Sequence, residues 1–150
     1  MNNSTTPLPK AVMWLGYGGI IPFVAFTLAL FLDPSRSSIW RDSVLSYGSV
    51  ILSFVGALHW AFAMLAPDLN ELTQKQRYAW SVIPALAGWF ALLIPPFMAG
   101  LLLGVFFILH LDQDRRLNKL NVLPQWYLPL RVSLTVVATL SVLIAGLTAP

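Results

Sequence analysis

Charge divides this chain. Residues 11–32, 44–66, 79–111 and 132–149 contain no Lys, Arg, Asp or Glu, and all fifteen such residues lie before or between these runs. A helix needs about 20 residues to cross the roughly 30 Å hydrocarbon core of a bilayer. Each run is long enough, or nearly so, and together they leave little chain for a water-covered surface. Composition agrees: 57% of residues are apolar and 10% charged, against about 25% charged in soluble domains. The pattern predicts an all-α polytopic transmembrane helical bundle forming a single domain over residues 1–150. Its surroundings are the lipid bilayer. The excess of nine basic over six acidic residues fits topology signals at helix ends better than a nucleic-acid surface. With no cysteine, disulfides, thiolate nucleophiles, iron–sulfur clusters and Cys-ligated zinc are excluded.

The first span is expected over about 11–32. A signal peptide is the alternative reading of this run. It is too long for a usual apolar core, carries Pro22, and is followed by no small-residue cleavage site. A mitochondrial transit peptide is disfavoured because the first ten residues hold one Lys and no Arg. The second span is expected over about 44–66, capped by Asp42 or Ser43 and stopped by Pro67. Residues 79–111 would make a helix about 50 Å long, too long for one crossing, and Pro95-Pro96 breaks it. A tight hairpin is expected, with spans over 79–94 and 97–111; a re-entrant loop is the alternative. The fifth span is expected over about 132–148.

Cations then give orientation. Lys10, Lys75, Arg77, Arg115, Arg116, Lys119 and Arg131 fall on one side, and Arg36 and Arg41 on the other. Seven against two is a positive-inside signal. It predicts a cytoplasmic N-terminus and an exoplasmic C-terminus, as in a bacterial inner membrane. Trp14, Tyr17, Tyr78, Trp80, Trp126 and Tyr127 would mark the inner interface, and Trp40 and Tyr47 the outer one.

Lipid tails are as apolar as leucine, so membrane helices associate through close packing and polar contacts. Small residues are placed for this: Ser49, Ser53, Gly56 and Ala63 in the second span, Gly100 and Gly104 in the fourth, Thr135, Thr139 and Gly146 in the fifth. Gly16 and Gly19 add to the first. Gly100 and Gly104 serve either packing within the bundle or a homo-oligomer face. Pro22 and Pro84 each remove a backbone donor within a span. They read as packing kinks, or as broken helices around a transported solute.

Little chemistry is visible. His59 is the one titratable group well inside a span, and intramembrane ionisable groups are functional candidates. It would ligate a haem, meet a quinone carbonyl or relay a proton; the structural alternative is a neutral ring bonded to a serine or a free carbonyl. Haem lacks an evident second ligand at matching depth, and His110 reads as interfacial. Asp112 and Asp114 suggest a metal only weakly, because Arg115 and Arg116 oppose a cation; a solvated helix end is the reading. Arg77, Tyr78, Trp80, Trp126, Tyr127 and Arg131 gather at the inner interface, where they would enclose a lipid or quinone head group, or form an aromatic belt with snorkelling arginines. No catalytic constellation, metal set or cofactor motif is evident.

Four segments carry a resemblance: Leu15-Gly-Tyr-Gly-Gly-Ile-Ile-Pro22-Phe23, Tyr47 through His59-Trp60, Arg77-Tyr-Ala-Trp80-Ser-Val-Ile-Pro84, and Pro124-Gln-Trp126-Tyr127-Leu-Pro-Leu-Arg131. In order and over nearly the whole chain, they resemble the small membrane-protein family of unknown function that includes animal transmembrane protein 69. The resemblance implies a compact multi-helix membrane protein of bacteria and mitochondria, with no mechanism attached. It singles out Pro22, Gly56, His59, Trp60, Arg77, Trp80, Pro84, Trp126, Tyr127 and Arg131 for attention. The leading expectation is a non-enzymatic accessory or assembly component of a membrane complex. The alternatives are a small transporter or channel using His59, and a quinone- or lipid-binding subunit using His59 and the inner aromatic–arginine cluster.

Overall fold

The computed structural model describes residues 9–66, 69–120 and 123–148. Among these the regular structure is helical: α1 (Lys10–Gly18), α2 (Ile20–Leu32), a single 3₁₀ turn (Pro34–Arg36), α3 (Ser37–Leu65), α4 (Glu71–Ala91), α5 (Pro96–Asn118) and α6 (Tyr127–Leu147). Helix is the solution lipid demands, because each backbone donor and acceptor is satisfied within its own segment. Four stretches are long and apolar enough to span a membrane: Lys10–Leu32, Pro34–Leu65, Pro96–Asn118 and Tyr127–Leu147. α4 is less apolar because its first two turns carry Glu71, Lys75 and Arg77.

The helices outrun the charge-free segments. α3 begins at Ser37 rather than near 44, α4 at Glu71 rather than 79, and α6 at Tyr127 rather than 132; α5 continues to Asn118 rather than 111. Charge limits what lipid accepts, not what a helix accepts. The caps shift accordingly. Ser43 lies inside α3, where its hydroxyl donates to the Ile39 carbonyl at 2.8 Å, so neither it nor Asp42 caps the helix. α4 has a true side-chain cap: Asn70 Oδ1 accepts from the Thr73 amide at 2.8 Å, satisfying one of the free donors of the first turn. The expected stop at Pro67 lies outside the described residues. Before α3, Ser35 Oγ donates to Asp33 Oδ1 at 2.6 Å. That hydroxyl, with Trp40 Nε1 and Arg36 nearby, holds the Asp33 carboxyl below the usual range.

The first span is interrupted for one residue, at Gly19, whose backbone stays right-handed (φ −65°, ψ −15°). Pro22, one turn on, cannot donate back to Gly18. Tyr47 of α3 reaches the same turn and donates its hydroxyl to the Gly19 carbonyl at 3.0 Å.

α3 and α4 pack antiparallel over their whole shared length. Gln74 Nε2 donates to the Ala63 carbonyl at 3.0 Å, Pro84 seats on Gly56, and Gly88 lies on the Ser49 backbone. The small residues expected on one face of α3 thus receive α4. α4 and α5 are about 32 and 35 Å long at 1.5 Å per residue. Their Pro95-Pro96 turn lies beside Arg41, Leu147 and Thr148. The hairpin therefore runs the full height of the bundle rather than re-entering part-way. α5 and α6 pack just as closely: a Cβ on Gly100 would lie 2.6 Å from the Val142 carbonyl oxygen, and Gly146 abuts Gly100 in return. Gly100 and Gly104 are covered by α6 of the same chain.

The central core joins Phe23 of α2, Leu52 and Val55 of α3, Leu103 and Phe107 of α5, and Val142 of α6. A second cluster, Leu117, Leu123 and Tyr127 with Phe62 and Trp126 against it, closes the basic end. Trp14, Phe54, Trp60 and Trp89 turn outward, as side chains facing lipid do.

Candidate functional site

Between the two clusters lies a layer of polar side chains. It begins with sequence spacing. His110 and Asp114 are four residues apart on α5, hence on one helix face. α3 brings His59, α6 brings Arg131 from its second turn, and α4 brings Trp80. His59, His110 and Asp114 are completely buried, and Arg131 is 4% exposed.

Asp114 is the hub. Its Oδ2 accepts from Arg131 Nε at 2.8 Å, and its Oδ1 lies 3.0 Å from His59 Nε2. A carboxylate paired with a guanidinium can only accept, so His59 Nε2 carries the proton of that bond. His110 Nε2 is 3.7 Å from the same Oδ1, beyond hydrogen-bond range. The other nitrogen of His110 is settled by a tryptophan. Trp80 Nε1 donates to His110 Nδ1 at 3.0 Å, with the two rings nearly parallel at 12°. Indole N–H is a donor only. Nδ1 must therefore offer its lone pair, which makes His110 a neutral ring protonated at Nε2. The two imidazoles meet edge to face with centroids 4.8 Å apart. Breaking the buried Asp114–Arg131 ion pair by removing one partner costs about 3–5 kcal/mol.

The expected site residues divide. His59, Arg131 and, through His110, Trp80 enter the network. Tyr127 packs edge-on against Phe62 beside it, and Trp126 packs on Tyr127. Arg77 goes elsewhere: its Nη1 donates to Gln113 Oε1 at 2.9 Å. Neither Arg77 nor Arg131 snorkels to the interface; both are buried. Of the expected inner cluster, Tyr78 packs instead edge-on against Trp60. His59 bonds neither a serine nor a free carbonyl, but a carboxylate. His110 is buried within the bundle rather than exposed at a helix end.

The solvated helix end expected for Asp112 and Asp114 holds for one of them. Two residues along a helix turn the side chain through roughly 200°. Asp112 points outward and pairs with Arg116 at 2.7 Å, while Asp114 points into the bundle. Asp114 is the residue that sequence reasoning missed. The signal available was the four-residue interval to His110, read there as a pair of aspartates instead.

His59, His110 and Asp114 bring ligand atoms within 4.8 Å of one another, which invites a metal reading. The donor set does not fit. A metal on His110 Nε2 needs the ring proton on Nδ1, where the Trp80 N–H already points. Arg131 adds a cation against the carboxylate. A haem between the histidines is excluded by their direct ring contact. Four buried polar atoms here have no partner among the described residues: His59 Nδ1, His110 Nε2, Arg131 Nη2 and the Tyr127 hydroxyl.

The family model described as protein of unknown function (DUF3429) matches residues 8–147. Similar curated proteins include transmembrane protein 69 of Xenopus tropicalis, 34% identical over 142 residues, covering 89% of this chain and 52% of that protein. The Mus musculus transmembrane protein 69 is 28% identical over 138 residues, covering 89% and 54%. The chain spans about half the length of these relatives. No solved structure matches it.

Proposed function

This chain belongs to the DUF3429 family, whose function is unknown, and we propose that it is a non-enzymatic accessory component of a larger membrane complex. It sits in a bacterial inner membrane with its N-terminus in the cytoplasm, the side that receives seven of nine cations. One observation carries the reading: His59, Trp80, His110, Asp114 and Arg131 form hydrogen bonds that cross between four helices. Asp114 takes one bond from α3 and one from α6, and His110 takes one from α4. The layer ties four helices into one body, which suits a scaffold whose outer faces meet neighbours.

Blue native electrophoresis of gently solubilised membranes, at native abundance, tests the proposal. The protein is expected in a band far heavier than its own mass with bound detergent. Migration solely as the free protein would count against it.

A further inference from the structure

A cleft of about 110 Å³ opens between the first span, α3 and α6. Its mouth carries Leu15 and Phe54, both well exposed on the outer face of the bundle and hence toward lipid. Phe23 and Phe107 line it further in, and Arg131 and Thr135 supply the polar lining. Arg131 Nη2 and Thr135 Oγ1 are buried with no hydrogen-bond partner among the described residues. Buried groups left unpaired are destabilising, so an acceptor that reached these two atoms from the cleft would be favoured.

The chemistry of that acceptor follows from the charges. The Arg131 guanidinium already meets Asp114 at 2.8 Å. What remains is a donor whose positive charge is spent, beside a hydroxyl. Such a pair suits a neutral carbonyl better than an anion. At about 110 Å³ the cleft is smaller than the apolar cavity of about 150 Å³ that holds benzene, so a ring would enter it edge-first and sit partly in the open mouth. A longer apolar tail would leave by the mouth into lipid. We propose that this cleft binds the head group of a neutral quinone-type amphiphile, its carbonyl accepting from Arg131 Nη2 and Thr135 Oγ1. This binding is independent of the scaffold role and of any complex.

The probe is a decyl-tailed benzoquinone bearing a photoreactive azide, added to the purified full chain in mild detergent. Labelled peptides are mapped by mass spectrometry. Labelling should saturate, fall on α2, α3 and α6 beside the cleft, and be displaced by unmodified decyl-quinone. Thr135→Val keeps the shape and removes the donor. It should weaken binding about three- to tenfold, the worth of one hydrogen bond. Leu134→Trp, at a half-buried position lining the cleft, should abolish labelling by filling the space. Labelling unchanged in both variants, or scattered over the lipid-facing surface, overturns the site. Displacement by decanoic acid as effective as by decyl-quinone overturns the neutral-carbonyl assignment.

Discussion

At the scale of single residues, two aspartates of one helix have opposite fates. Asp114→Asn leaves the Arg131 charge buried without its counter-ion. It should lower stability by about 3–5 kcal/mol, read as an earlier thermal unfolding transition in detergent. Asp112→Asn removes a half-exposed pair with Arg116 and should cost under about 1 kcal/mol. Equal effects would mean that Asp114 is not the hub. The tautomer of His110 is open to direct measurement. Nitrogen-15 spectra should show a proton on Nε2 and none on Nδ1, and Trp80→Phe should remove that preference. Sequence made His59 visible, since it stands alone in a charge-free run. Asp114 stayed hidden because its neighbours Asp112, Arg115 and Arg116 are ordinary solvated charges, and only helical phase separates it from them.

Among elements, the glycines decide how closely helices approach. A Cβ at Gly100 would lie 2.6 Å from a backbone oxygen of α6, which no rotamer change relieves. Gly100→Ala should therefore destabilise by about 1–3 kcal/mol through overpacking. Gly18 has nothing within 4 Å of an added Cβ. Gly18→Ala should be neutral or stabilising, by up to about 1 kcal/mol of helix propensity. Thermal unfolding of the two variants side by side checks both. Pro84 behaves as a packing residue, its ring seated in the notch at Gly56. The small-residue stripes were legible in the sequence as packing faces. Their partners were not, because a stripe states how near a helix can come and not which helix comes.

For the whole molecule, the segments expected to share a side do share an end of the bundle. The Pro95-Pro96 turn reaches the end opposite the basic segments. The absence of cysteine makes any introduced cysteine unique. In intact cells, Ser35→Cys and Leu93→Cys should react with a membrane-impermeant maleimide. Lys75→Cys and Lys119→Cys should react only after permeabilisation. Leu93→Cys protected together with Lys75→Cys would contradict the hairpin, and the reverse pattern throughout would invert the orientation.

The sequence alone determined the solvent of this protein, its helical class and the end at which its cations gather. Those properties follow from local composition, because lipid rejects charge and unpaired backbone wherever they occur along the chain. Tertiary structure decided that Asp114, His59 and Arg131 meet, that Trp80 fixes a histidine tautomer, and that Gly100 belongs to α6. Each of these depends on the rotation of one helix about its own axis relative to another, a quantity that the spacing along a single segment does not contain.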